Sequence, residues 1–193
     1  MQLIPVRLLI CFLAGSIPFA VLAMMGTGID IRRAGSGNPG FNNVLRFSKW
    51  RALLTLIGDM GKGMLPVWLS MRSGDSVIMG WLYGFAVVVG HCYSPWLKFK
   101  GGKGIATSGG VMLVLYPRWA AAAIALFAVV RVTGSRLKWK EAGAIGSLSA
   151  WVGFTLLMLA FEKRPQDALV SGAMTLFLAW RHRKNFQNLL APA

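Results

Sequence analysis

The chain has 193 residues, of which 55% are hydrophobic and only 14% charged. Soluble domains carry about 25% charged residues, so an ordinary soluble globule is excluded. The formal charge of +15 would suit nucleic acid, but the basic residues cluster at the ends of apolar blocks, as they do beside membrane spans. Nucleic acid is therefore excluded as a partner.

Apolar segments fall at about 3–25, 52–71, 77–97, 105–115, 117–130, 142–161 and 167–180. A hydrocarbon core of about 30 Å takes about 20 apolar residues per helix. The pattern predicts an all-α integral membrane protein, a polytopic bundle of about seven transmembrane helices forming a single domain over 1–193. The first segment has the look of a secretory leader. Its single early Arg7, the lack of a small-x-small cleavage site and the spans that follow make it a retained helix. Segments 105–115 and 117–130 are short and separated by Pro117, which breaks a helix, so two of the seven helices are expected to be short. Cys11 and Cys92 lie in apolar runs and read as inert thiols.

Charge sets the orientation. With the N-terminus outside, the inner loops are about 26–51, 98–104, 131–141 and 181–193, and they hold fifteen of the 21 Lys and Arg residues. Arg7, Arg72, Arg118, Lys163 and Arg164 fall outside, and Lys62 falls within a span. The excess of inner positive charge places the N-terminus outside and the C-terminus in the cytoplasm. Every glycine-rich or polar cluster then lies on the cytoplasmic face.

The first cluster is "GSGNPGFNNVLR", residues 35–46. Gly35, Gly37 and Gly40 permit close backbone approach. Ser36, Asn38, Asn42 and Asn43 offer short neutral hydrogen-bonding groups, and Arg46 a planar fork suited to phosphate or carboxylate. The second is "KGGKGIATSGG", residues 100–110. Gly101, Gly102 and Gly104 expose N–H groups, Lys100 and Lys103 bring charge, and the following helix start favours anions. A nucleotide-binding loop would need Ser or Thr directly after Gly-Lys; here Gly104 stands there. Third, "GDMGKG" sets Asp59 and Lys62 three residues apart inside an apolar span, on one helix face. They form either a mutually neutralising pair or a cavity wall in which Lys62 meets the anion. Fourth, "RHRKN" places His182 and Asn185 on one face at the end of the last span. No acidic cluster or His/Cys spacing suits a metal, and there is no G-x-S-x-G elbow.

"GSGNPGFNNVLR", "DMGKGMLPV", "GHCYSPWLKFKGGKGIAT" and "RHRKN" in this order resemble the motifs of the bacterial acyl-phosphate-dependent glycerol-3-phosphate acyltransferases, and the similarity spans nearly the whole chain. The resemblance implies transfer of an acyl group from acyl phosphate to sn-glycerol 3-phosphate in the bacterial inner membrane, with the site facing the cytoplasm. The products would be 1-acyl-glycerol 3-phosphate (lysophosphatidic acid) and phosphate, the first acylation of phospholipid synthesis. It implies no cofactor and no metal. The partners are the two small substrates and the bilayer, with no carrier protein or CoA. Carried onto this chain, Ser36, Arg46, His182 and Asn185 are the expected catalytic residues. Gly35, Gly37, Asn38, Asn43, Lys62, Lys100, Gly101, Gly102, Lys103 and Gly104 are expected to bind substrate.

The chain departs from the family pattern in two places. Phe41-Asn42 stands where the family has Ala-Thr, and Asn188 stands where it has a basic residue, with no Gly-x-Glu following. The second change is expected to affect the stability of the C-terminal helix end before it affects activity. An acyl phosphate has a good leaving group, so positioning and charge stabilisation suffice; the proton acceptor is either His182 or the donor's own phosphate. The competing class is a transporter for a phosphorylated metabolite, which should show an internal repeat and a midplane site.

Overall fold

The computed structural model describes residues 3–191, and among these the chain is helical with no β-strand. The final Pro192 and Ala193, part of the departing C-terminal stretch, lie outside the described residues. The chain divides into two compact units, residues 1–115 and 116–193.

In the first unit, α1 (Ile4–Ser16) and α2 (Phe19–Met24) divide what the sequence reads as one segment. Pro18 is the cause: it has no N–H to continue the ladder and clashes with the turn before it. α3 (Phe41–Val44) is a single turn. α4 (Lys49–Arg72) starts at Ser48, whose Oγ accepts from the Arg51 N–H at 3.4 Å. α5 (Val77–Cys92) is followed by a 3₁₀ turn (Pro95–Leu97), and α6 (Ile105–Leu115) ends the unit. Helices α1 and α5 approach so closely that a Cβ at Gly15 would overlap the Val87 carbonyl, and one at Gly90 the Phe12 carbonyl. α4 and α6 do the same at Gly63 and Gly110. Small residues at the crossings and large ones outside, such as Leu9, Ile57 and Leu65, are the arrangement of helices packed in lipid.

In the second unit, α7 (Pro117–Arg136), α8 (Ala142–Phe161) and α9 (Pro165–Arg181) are followed by α10 (Arg183–Leu190). The expectation that the 117–130 segment is short needs correction: α7 runs 20 residues. Its apolar run ends at Val130, but Arg131 to Arg136 continue the helix, since loss of hydropathy does not end a hydrogen-bond ladder. The stop comes at Lys138, in the left-handed region at φ 55°, with Trp139 N–H bonded back to the Gly134 carbonyl at 2.8 Å. Thr155 and Thr175 hydroxyls join α8 to α9 at 2.9 Å. The Trp119 indole donates to Glu162 at 2.6 Å, and Tyr116 donates to Asp167. The buried face of α8 is small in its first half, with Ala142, Ala144, Gly146, Ser147 and Ala150, and large in its second, with Trp151, Phe154 and Met158, while Leu156 and Leu159 point outward.

Among the described residues, four stretches are long and apolar enough to cross a membrane: Ile4–Met24, Val77–Leu97, Pro117–Arg136 and Ala142–Phe161. α4 is longer still, at 24 residues, but carries Asp59 and Lys62.

Candidate active site

The 35–46 stretch is a shaped loop. Gly35 and Gly37 take φ of 59° and 67°, the left-handed region where a side chain is strained. The Asn43 carboxamide is the fastener: its Oδ1 accepts from Ser36 N–H at 2.9 Å, and its Nδ2 donates to the Ile31 and Ala34 carbonyls at 3.0 Å each. Asn43 is buried, so its polar atoms serve the loop. Ser36, held at its backbone by this bond, is exposed, and so is Arg46. Asn38 N–H lies 3.5 Å from the Ser36 Oγ. Upstream, Asp30 takes both Nε and Nη2 of Arg32, at 2.8 and 2.9 Å. Hydrogen bonding from Arg32 pulls the Asp30 carboxyl down to about 2.

The second loop is held to the end of α5. Gly101 N–H donates to the Cys92 carbonyl at 3.1 Å, and Lys98 and Phe99 take the left-handed conformation that turns the chain. Lys98 and Lys100 are exposed, Lys103 is half-buried and Gly104, at φ 86°, leads into α6. A Cβ on Gly102 would strike both the His91 imidazole and the Pro39 carbonyl. Glycine is thus required where the two loops meet, and this is the contact that brings the first two sequence clusters together.

Beneath them lies a buried polar network. Lys62 Nζ is 2.8 Å from Asp59 Oδ1 and donates to the Ile17 carbonyl at 2.7 Å. His91 Nδ1 lies 3.5 Å from the same carboxylate oxygen. Ser94 Oγ donates to the Ser16 carbonyl at 2.6 Å, and the Trp96 indole to Ser16 Oγ at 2.9 Å. The α1–α2 break takes the carbonyls of Ser16 and Ile17 out of the α-helical ladder; Ser94 bonds the first, and Lys62 and the Phe19 N–H at 3.1 Å bond the second. An unpaired buried carbonyl would be costly in an apolar surround. A small crevice opens here, lined by Ser16, Phe19, Lys62, His91, Ser94 and Gly102 among others. Lys62 therefore stands on the crevice wall and is paired to Asp59 at once.

His182 and Asn185 belong to the second unit. His182 closes α9 and opens α10, and Asn185 N–H bonds to its carbonyl at 2.8 Å. Both side chains are buried. His182 Nδ1 is 2.7 Å from the Leu178 carbonyl. A carbonyl only accepts, so Nδ1 carries the hydrogen and Nε2 is the basic nitrogen of the neutral ring. Asn185 Nδ2 donates to Glu141 Oε2, and Asn188 Nδ2 to Glu141 Oε1 at 2.7 Å. Sequence reasoning passed over Glu141, Ser94 and Trp96. Glu141 carried a signal: it is one of only 6 acidic residues.

A helical, multi-pass membrane protein with two glycine-rich basic loops locked together on one unit is the class that fold and site define. The family model for glycerol-3-phosphate acyltransferases matches residues 6–192. The chain belongs to that family. Curated relatives called glycerol-3-phosphate acyltransferase are 39% identical over 185 residues in Pseudomonas paraeruginosa, covering 95% of this chain and 94% of the relative. The relative in Pseudomonas syringae pv. tomato is 40% identical over 183 residues, covering 93% and 91%. Two crystal structures of PlsY (YgiH), an integral membrane glycerol 3-phosphate acyltransferase, match at 28% identity over 97% of this chain. The glycerol 3-phosphate form has a TM-score of 0.87 and 92% of its chain covered, and the lysophosphatidic acid form a TM-score of 0.84 and 91%.

Proposed function

We propose that this chain transfers an acyl group from acyl phosphate to sn-glycerol 3-phosphate, giving 1-acyl-glycerol 3-phosphate and phosphate. The observation that carries the reading is the seating of Gly102 against Pro39, which sets two loops rich in N–H groups and cations side by side. Lys103, Lys100 and the N–H groups of Gly102 and Gly104 hold the acceptor's phosphate, while the Gly101 N–H, expected at the site from the sequence, stays bonded to the Cys92 carbonyl. Arg46, with the side chains of Ser36 and Asn38 beside it, holds the donor phosphate, Gly35 and Gly37 shape the loop that Asn43 fixes, and Lys62 with Asp59 sets the crevice wall behind it. The glycerol C1 hydroxyl attacks the acyl carbonyl, and the C–O bond to phosphate breaks with its electron pair leaving on phosphate. The hydroxyl proton passes to His182 Nε2 or to the departing phosphate. Ser36 hydrogen-bonds the reacting groups and forms no acyl-enzyme. Residues 1–193 act as one membrane-embedded domain of seven spans in the bacterial inner membrane. The N-terminus lies outside, and the C-terminus and the site lie on the cytoplasmic face.

The acyl chain of the donor stays in the bilayer, and the reading takes neither a carrier protein nor CoA as the donor. The test is turnover of the purified chain in proteoliposomes with acyl phosphate, acyl-CoA and acyl-carrier protein offered separately. Acyl phosphate alone should support product formation; efficient turnover with acyl-CoA would overturn the donor assignment.

A further inference from the structure

Arg51 stands at the wrong end of its helix. It lies half-buried in the first turn of α4, three residues after the Ser48 that opens that helix. A helix N-terminus carries partial positive charge, so cations are favoured at the opposite end. The guanidinium leaves α4 and crosses to the end of α2, where Nη1 donates to the Ala23 carbonyl and to the Met25 carbonyl, the latter at 3.1 Å. The last carbonyls of a helix have no partner within it. Here those from Leu22 to Met25 are all taken. Met25 N–H bonds the Leu22 carbonyl at 3.2 Å, Thr27 N–H and Oγ1 bond the Met24 carbonyl at 3.2 and 2.7 Å, and Arg51 bonds the other two.

What this side chain ties is the base of the first loop. Residues 26–48 leave α2 and return to α4, and they carry Ser36, Asn38 and Arg46. Beneath them Ala20 and Met24 of α2, Ile31 of the loop, Val44 of α3 and Ala52 of α4 form one small buried cluster. α3 is a single turn, too short to hold itself. Its place, and that of Arg46 two residues past its end, is therefore set by this cluster. The cluster keeps its shape while the end of α2 stays against the start of α4, and Arg51, next to Ala52 in the chain, fastens those two helix ends. We infer that Arg51 is a positioning residue for acyl transfer: by joining α2 to α4 it sets the placement of α3 and Arg46, and through them of the donor phosphate. This rests on the acyl-transfer reading above. The second loop is fastened separately, by the Gly101 N–H on the Cys92 carbonyl, so the acceptor's phosphate depends less on Arg51.

The test compares Arg51→Met, Arg51→Lys and Lys49→Ala in proteoliposomes, well below the unfolding temperature of each. Arg51→Met keeps the apolar stem and loses both donors; Arg51→Lys keeps charge and donors on a different head. Lys49 is exposed on the same turn, so Lys49→Ala removes a neighbouring charge without touching the α2 carbonyls. Misplacement of about 1 Å from a change away from the chemistry costs about 100-fold at most, so Arg51→Met should lower kcat/KM for acyl phosphate about 10- to 100-fold while KM for glycerol 3-phosphate changes less than about twofold. Arg51→Lys should recover part of the loss, and Lys49→Ala should match the wild type. Four results would each overturn the inference: wild-type kinetics in Arg51→Met with only a lowered Tm, an equal rise in KM for both substrates, an Arg51→Lys no better than Arg51→Met, or an equal loss in Lys49→Ala. Should Arg51→Met fail to fold, Arg51→Gln, with a shorter neutral amide, takes its place under the same readings. A readout independent of turnover is amide hydrogen exchange in lipid nanodiscs. Exchange in Arg51→Met should quicken in residues 31–48, including the Ser36 N–H held by Asn43 Oδ1, and stay unchanged in residues 101–112. Exchange that rises evenly along the chain, or does not change, refutes the tie. If the wild-type chain made no lysophosphatidate, the acyl-transfer reading would fail while the exchange result still decided whether Arg51 holds the loop.

Discussion

Replacing Lys62 by methionine should be among the most destabilising single changes in the chain, and replacing Asp59 as well should restore much of the loss. The side chains of Lys62 and Asp59 are only 4% and 3% exposed, with Nζ 2.8 Å from Oδ1. Removing one partner of a buried ion pair costs about 3–5 kcal/mol because the other charge is left uncompensated. Lys62 also donates to the Ile17 carbonyl at 2.7 Å; that carbonyl keeps the Phe19 N–H at 3.1 Å, so losing this bond adds only about 0.5–1.5 kcal/mol. Lys62→Met should therefore lose about 4–6 kcal/mol, a large share of the 5–15 kcal/mol of a typical domain. In Lys62→Met/Asp59→Leu no charge is stranded, and only the loss of the bond to the Ile17 carbonyl, about 0.5–1.5 kcal/mol, remains. The double variant should thus be more stable than Lys62→Met by about 3 kcal/mol. The assay is reversible unfolding in mixed micelles, read by tryptophan fluorescence, over the full double-mutant cycle. A coupling below about 0.5 kcal/mol, the level of independent sites, or a double variant less stable than either single one, would refute the reasoning.

Lys103→Ala should raise KM for glycerol 3-phosphate about 10- to 150-fold, the worth of one charge-assisted hydrogen bond, and leave KM for acyl phosphate nearly unchanged because its chain is held by the bilayer; steady-state kinetics in both substrates check this. Arg46→Ala should abolish turnover while thermal stability stays within about 0.5 kcal/mol, as for an exposed residue; normal turnover removes Arg46 from the site. The Asp30 carboxyl should titrate near 2 instead of 3.8, as followed by carboxyl ¹³C NMR, and Arg32→Ala should move it up. Because the folded value is the depressed one, this pairing supports the loop fully above pH of about 4 and is lost as pH falls toward 2.

Which parts were legible depended on the physics involved. Long apolar blocks report themselves, and α5 and α8 fall where hydropathy places them. The break at Ile17–Pro18 was marked by a proline yet lost inside an apolar run, because its stability depends on Lys62 and Ser94, distant in sequence. The end of α7 was misplaced because hydropathy marks where the membrane stops, while the helix ends only where Lys138 turns left-handed. Motif glycines were recognisable as a class, but the particular need at Gly102 comes from Pro39 and His91 and exists only in three dimensions. Asn43 read as a substrate group, and in the fold its amide is spent on three backbone partners. Glu141 illustrates the remaining gap. In a chain with 6 acidic residues, each one is a candidate for a specific bond: Asp30 holds Arg32, Asp59 holds Lys62, Asp75 holds Arg7, Glu162 holds Trp119 and Asp167 holds Tyr116. Scarcity was visible in the sequence; the partners were not.

The most direct test of the central claim is product analysis after a fixed time with purified protein in sealed proteoliposomes, given labelled glycerol 3-phosphate and acyl phosphate. The account predicts that label enters lysophosphatidate in the membrane with one phosphate released per ester formed, and that Lys103→Ala suppresses both together. Label that crosses into the vesicle lumen as unaltered glycerol 3-phosphate, with no ester and no phosphate release, would contradict it.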